Sequence, residues 1–310
     1  MLLAALIVIA AGPLADRLSY AAAVPKLDTI RIALYIPARG TVPAVTVSSA
    51  SPMTLSYRSP AGTEPWISSS GTFRASLDQY AVIAARTAQY NAANQLQTQL
   101  SERGYHAVIY EETKGAAVEF VVSVGPYTTR GEAEQVRNTL AKAGVTGAAA
   151  SAMELAGPYY WNAGSYPDAA AAANAAGSLN SKGLRAFSVI HKDEAGNTVH
   201  AVWIGGVADE AALNAVKSEA AKAVPGLALS PANTSLPYLV RRTDVTGGMS
   251  APLAHYSLQT GRMKLWVTSE SPLQVKERYG RSYRGSLEIG EYASGLAVVN
   301  ELPTEEYLYS

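Results

Sequence analysis

Four stretches of this chain repeat one layout at a nearly fixed period, and that periodicity restricts the possible folds more than any other feature. They read AVIAARTAQYNAANQLQTQLSERG, FVVSVGPYTTRGEAEQVRNTLAKAG, YYWNAGSYPDAAAAANAAGSLNSKG and HAVWIGGVADEAALNAVKSEAAKAVPG. In each, a short strand ends at Ala85, Gly125, Gly164 or Gly205, positions 40, 39 and 41 residues apart. A helix follows, and Gly104, Gly144 and Gly183 lie 19 residues beyond the first three strand ends. A period of this size marks one supersecondary unit used repeatedly.

Local chemistry supports the layout. Thr129 and Glu132 have the S/T-x-x-E spacing of a capping box, which closes the start of a helix from both sides. Ala133, Val136 and Leu140 then share one helical face, as do Ala92, Leu96 and Leu100 in the first unit. Gly104, Gly144 and Gly183 stand where a left-handed helix C-cap favours glycine. Phe120, Val122 and Val124 alternate with Val121, Ser123 and Gly125, which is a strand with two unlike faces. Second strands follow the first and third helices, in YHAVIYEE and LRAFSVIH. Two consecutive units therefore give βαββαβ, an α+β ferredoxin-like module with an antiparallel sheet and helices on one face. One module is assigned to residues 79–155 and a second to 157–231.

The flanks are β-rich. TIRIALYI alternates with Ile30, Ile32, Leu34 and Ile36 on one face, and AVTVSSA and MTLSYRSPAG follow. Strand patterns return after the repeats in RMKLWVTS, PLQVKERYG, YRGSLEIG and GLAVVNEL. Residues 28–73 and 234–310 are read together as one discontinuous, incomplete β-rich domain with the modules inserted, because module termini lie close together at a surface. At the start, LLAALIVIAA is an apolar run too short to span a bilayer. It is broken at Gly12-Pro13 and followed by the small residues Ala21 and Ala23, so residues 1–23 read as a secretory signal whose positive n-region is missing. Membrane association is expected only through that segment, if it stays uncleaved.

Composition excludes several classes. Among 310 residues the formal net charge is +0, which lacks the positive footprint that nucleic-acid binding needs. With Cys 0, disulfides, thiolate metal sites and cysteine nucleophiles are all out. The four histidines, His106, His191, His200 and His255, lack the paired spacing of a metal site, and no cofactor loop is present. Tyr 18 against Phe 3 favours surfaces that are apolar and wet together.

VSVGPYTTRGEAEQVRNTLAKAG and YYWNAGSYPDAAAAANAAGSLNSKG resemble the two halves of a SPOR domain. The resemblance implies binding of bacterial peptidoglycan, with preference for glycan strands stripped of stem peptides. In that family the strand before the turn often carries glutamine two residues ahead of the glycine. Here Asn162 and Ser123 stand there, and Ile83 and Trp203 in the first and fourth units. The implied glycan site is Tyr160, Asn162, Gly164, Ser165 and Tyr166 in the second module, with Ser123, Gly125 and Tyr127 in the first and Trp203 in the fourth unit. Amides and hydroxyls bond sugar hydroxyls, and aromatic faces pack on pyranose rings. The competing reading is that Tyr160 and Trp203 fill a seam between modules.

IRIALYI, VTVSSA, YRGSLEI and GLAVVNELPTEEYLYS resemble the stage II sporulation protein D/LytB family, which includes lytic transglycosylases of sporulation and an enhancer of a cell-wall amidase. The resemblance implies a catalytic glutamate in a segment beyond Ser310, so the chain is expected to be a fragment without lytic activity and without a catalytic residue of its own. Glu305 and Glu306 are adjacent and cannot face one another across a bond. The expected partners are peptidoglycan glycan strands and, in the alternative reading of a non-catalytic regulator, a wall amidase. The expected location is extracytoplasmic, at the wall of a bacterium that forms spores.

Overall fold

The computed structural model describes residues 28–36, 42–59, 62–115, 117–145, 153–192, 197–232, 238–242, 255–258, 264–292 and 295–308. The signal-like segment 1–23 lies outside them. No helix of the described residues is long and apolar enough to cross a membrane.

The chain is α+β with mostly antiparallel sheets. It opens with β1 (Thr29–Tyr35), β2 (Ala44–Ser48), β3 (Met53–Ser59), β4 (Gly62–Ser69) and β5 (Phe73–Leu77). The repeats follow as β6 (Tyr80–Thr87), α1 (Tyr90–Glu102), β7 (Ala107–Lys114), β8 (Ala117–Tyr127), α2 (Arg130–Lys142), β9 (Glu154–Tyr166), α3 (Ala169–Ser181), β10 (Ala186–Lys192), β11 (Thr198–Val207), α4 (Glu210–Ala223) and β12 (Ser230–Pro231). The second flank holds β13 (Tyr238–Arg242), β14 (His255–Leu258), β15 (Lys264–Ser269), β16 (Leu273–Val275), β17 (Arg281–Tyr283), β18 (Ser286–Tyr292), β19 (Gly295–Pro303) and α5 (Thr304–Leu308).

Helix termini follow from the residues that cap them. The Thr129 hydroxyl accepts from the Glu132 amide at 3.2 Å, and the Glu132 carboxylate accepts from the Thr129 amide at 3.1 Å. Asp168 and Asp209 cap α3 and α4 through single carboxylate oxygens. Gly104, Gly144 and Gly183 end α1, α2 and α3 at φ of 83°, 64° and 90°. Thr129→Ala should lower stability by about 1 kcal/mol, read from the shift in denaturation midpoint, since both bonds of the box depend on that hydroxyl or on the turn it fixes.

Each helix buries one stripe against the sheet. Leu96 and Leu100 of α1 and Ala133 and Leu140 of α2 pack on Val82, Val122 and Val124. Ala93 is the third buried residue of α1, where the sequence pattern pointed to Ala92. In the second module the stripe is thin: Ala172, Ala176 and Leu179 of α3 and Ala220 of α4 meet Val202 and Ile204. Small side chains let α3 sit close to its sheet.

The two modules share a strand. The N-terminal half of β9 pairs β6, Ala81 facing Ala156, and so completes the first module in the order β7-β8-β6-β9. Its C-terminal half pairs β11 and β12, which gives β10-β11-β9-β12 for the second. The boundary placed between residues 155 and 157 therefore falls inside one continuous strand. Ion pairs tighten the junction: Arg86 with Glu112 and Glu154, and Arg185 with Glu112 and Glu119.

The flanks pack against each other on one core. A six-stranded sheet, β1-β19-β18-β15-β3-β4, lies over β2, β5, β13 and β16, with Val45, Met53, Phe73, Leu265, Leu287 and Val298 between them. The second of these layers continues into the repeats through β13-β14-β10, where β14 runs parallel to β10.

Candidate functional site

Tyr160, Trp203, Ser123 and Gly125 of the expected glycan site lie on the sheet face opposite the helices. Tyr160 is 2%, Trp203 3% and Ser123 5% exposed, and Gly125 is buried with them. Tyr160 lies edge-on to Phe187, with ring centroids 5.9 Å apart, and stacks at a tilt on Trp203 at 5.1 Å. Its hydroxyl donates to Asp78, in the link between β5 and β6, at 3.2 Å. Val189, Ala201 and Ala232 close the cluster. The physical reason is tertiary. The flanking domain lays β5, β13 and the 77–79 link along this face, a contact between segments far apart in sequence.

In the first module the same domain grips the turn itself. Arg74 of β5 donates from Nη2 to the Gly125 carbonyl at 2.7 Å, and Arg241 of β13 stands 4.6 Å from the Tyr110 ring centroid. Gly125 is buried, and Tyr127 packs into the helix-side core, where burial pushes its hydroxyl up to about 12. Ser123 and Asn162 are also not topological counterparts. Ser123 lies on the third strand of its module and Asn162 on the first strand of the next.

In the second module the turn stays accessible. Asn162, Gly164 and Tyr166 are half-buried and Ser165 is exposed. Asn162 Oδ1 accepts from the Gly164 amide at 3.0 Å, which holds a bulge where Ala163 and Gly164 of β9 lie opposite Val202 alone of β11. Gly164 has φ of 141°, and the Tyr166 hydroxyl sits over it, 3.2 Å from where a Cβ would be. The Tyr166 ring packs against the helix-side core, as that of Tyr127 does in the first module, and only its hydroxyl edge reaches the turn. The rim of the turn therefore carries the Asn162 amide nitrogen, the Ser165 and Tyr166 hydroxyls and backbone, suited to several hydrogen bonds with one polyhydroxylated ligand.

Sequence reasoning missed a cleft on the other side of β9. Tyr159, Trp161, Glu210, Asn214 and Pro231 line a space of about 250 Å³. Trp161 Nε1 donates to the Leu213 carbonyl at 2.8 Å, and Lys217 Nζ is 5.0 Å from its ring centroid. The YYW string was the available signal. Alternation puts its first and third rings on the helix side, opposite Tyr160.

Electrostatics concentrate where the flanking domain meets the modules. Burial pushes the Asp78 carboxyl up to about 6, against the pull of Arg241 and the Tyr160 hydroxyl. Burial brings Arg74 down to about 10, with Glu277 opposing and Arg241 adding to the effect. An acid whose folded-state pKa is raised stabilises the fold when protonated, and that contribution is lost as pH rises from about 4 through about 6. The loss is of order 2 kcal/mol. Asp78→Asn should therefore flatten the fall in melting temperature between pH 4 and 6.5 relative to wild type. On the outer sheet Glu288, held low by bonds to Lys264 and Arg31, acts in the opposite direction and is common to both proteins.

Glu305 and Glu306 lie exposed in the first turn of α5. Among the described residues no group of three or more acidic or histidine side chains is placed to hold a metal.

Comparison with known protein families finds the SPOR domain twice, over residues 76–151 and 155–227. SPOR domains bind peptidoglycan. The first match ends ahead of β9 and the second begins within it, so the strand the modules share falls to the second match. No curated protein and no solved structure matches the chain.

Proposed function

We propose that this chain is an exported binding protein for peptidoglycan glycan strands and that the second module's turn is where it engages them. The observation that carries the reading is the double SPOR match on two modules joined through one strand, with Asn162, Gly164, Ser165 and Tyr166 left accessible. Tyr160 and Trp203 support the rim from below, and Ser123, Gly125 and Tyr127 belong to a turn that the flanking domain covers. The flanking domain is of the stage II sporulation protein D/LytB type, on the strings IRIALYI, YRGSLEI and NELPTEEYLY. The protein acts in wall remodelling outside the cytoplasm of a spore-forming bacterium.

The test is a titration with soluble glycan strands. Asn162→Ala removes the Nδ2 donor and loosens the bulge, one or two bonds of about 1 kcal/mol each. It should weaken binding roughly five- to tenfold per bond. Ser165→Ala should cost less, and Lys142→Ala, on the exposed end of α2, should change nothing. Unaltered affinity in Asn162→Ala and in an Asn162→Ala/Ser165→Ala double variant, both folded by circular dichroism, would move the site elsewhere, with the Tyr159–Trp161 cleft the next place to look.

A further inference from the structure

Arg74 and Arg241 are direct cross-strand partners in the β5–β13 pair, and both side chains leave the sheet toward the modules. Like charges directly opposite on an antiparallel pair repel each other and are destabilising. Arg74 is also withdrawn from water, at only 8% exposed, and Arg241 is half-buried. Among the described residues the Nε of each guanidinium is shielded from solvent and has no hydrogen-bond partner. Buried polar groups are normally satisfied, so two orphaned donors on paired cations call for an explanation.

Nearby anions are engaged elsewhere or outnumbered: Glu112 is paired with Arg86 and Arg185. Both oxygens of Glu277 are taken by Thr46, from its amide at 2.8 Å and its hydroxyl at 2.7 Å. Asp78 accepts from Tyr160 and carries at most one charge against two. Between these groups lies a cavity of about 60 Å³, lined by Arg74, Arg241, Asp78, Tyr110, Ser123 and Tyr160 among others. That is room for a group the size of a carboxylate, since a water needs only about 10–15 Å³ on this measure. Two guanidinium forks meeting at a carboxylate are a recurrent recognition geometry, because the planar donors match both oxygens.

We propose that this cavity binds a small carboxylate between Arg74 and Arg241, with the Ser123 and Tyr110 hydroxyls as further partners. The carboxylate can belong to a free hydroxy acid or be carried on a sugar, as the lactyl group of N-acetylmuramic acid is. The bound anion relieves the repulsion between the two arginines and ties the flanking domain to the first module. This site is separate from the rim of the second module and stands or falls independently of it.

The experiment is calorimetric titration of the whole chain at fixed ionic strength, with melting temperature as a second readout. The probes are D-lactate, N-acetylmuramic acid, its methyl ester and N-acetylglucosamine. Binding of either acid, with no response to the ester or to N-acetylglucosamine, is expected. Lactate acting as well as N-acetylmuramic acid identifies a free-acid site, and response to the sugar acid alone identifies a sugar-borne one. Arg241→Gln and Arg74→Gln should each weaken the acid at least tenfold, and Arg241→Lys less than Arg241→Gln. Should a glutamine variant fail to fold, the wild-type contrast between acid and ester still decides. No response to either acid, or equal response to acid and ester, overturns the proposal. Sedimentation with wall sacculi runs alongside. A chain that sediments but ignores both acids loses the carboxylate site and keeps the wall reading, and the reverse result separates them the other way.

Discussion

Trp203→Ala should destabilise the chain by about 3–5 kcal/mol, the range for removing a large buried aromatic. The indole is 3% exposed, stacks on Tyr160 and lies 5.6 Å from the His191 ring. Truncation would leave a void in the small cluster with Val189 and Ala201, which has few neighbours able to collapse into it. Chemical denaturation read by circular dichroism measures the loss. An indole acting as an exposed sugar platform would behave otherwise, with folding stability nearly unchanged and glycan affinity reduced. The same contrast applies to Tyr160→Phe, which keeps the ring and loses only the bond to Asp78. That change should cost about 1 kcal/mol.

Gly205→Val is the second large effect. Gly205 has φ of 124°, a conformation L side chains rarely adopt. A Cβ there would come within 2.9 Å of the Tyr159 carbonyl oxygen and 3.3 Å of the Tyr160 Cα, both backbone atoms of the shared strand. Strain of roughly 1–3 kcal/mol for the backbone adds to a similar amount for overpacking, so a loss of roughly 2–5 kcal/mol is expected. Denaturation midpoints of the variant and wild type check it. Because β9 belongs to both modules, the damage should spread. Hydrogen exchange should accelerate in β6 as well as in β11, whereas two independent modules would confine it to the second.

What the sequence disclosed and what it hid divide along contact range. The forty-residue period, the Thr129–Glu132 box and the capping glycines are local signals, each set by residues within a few positions, and the units they describe are the units found. Alternation in β8 also read correctly, with Val122 and Val124 toward the helices and Val121 away from them. The strand joining the modules was hidden because period counting places a boundary between repeats, whereas hydrogen bonding lets one long strand serve both sides. The fate of the opposite sheet face was hidden for a stronger reason. Alternation tells that Tyr160 and Ser123 share a face and says nothing of what arrives to cover it. Arg74 and Arg241, which do arrive, are separated by the whole repeat region and look in sequence like ordinary strand arginines. Only their pairing across β5 and β13 makes them a site.

Part of the candidate rim was legible and part was not. Asn162 and Gly164 could be chosen because an amide two residues before a strand-end glycine is a local pattern. That the amide oxygen is spent on the Gly164 nitrogen, leaving its NH2 group as the recognition element, is visible only in the folded bulge. Tyr159 and Trp161 were passed over because the repeat pattern drew attention to Tyr160 between them.

Glycan binding is measured most directly by sedimentation of the purified chain with bacterial sacculi, intact and after enzymatic removal of the stem peptides. The chain is expected to move from supernatant to pellet with both and more completely with stripped glycan, and Asn162→Ala to shift it back toward the supernatant. A chain that stays in the supernatant with both preparations, while folded, would contradict glycan binding by these modules.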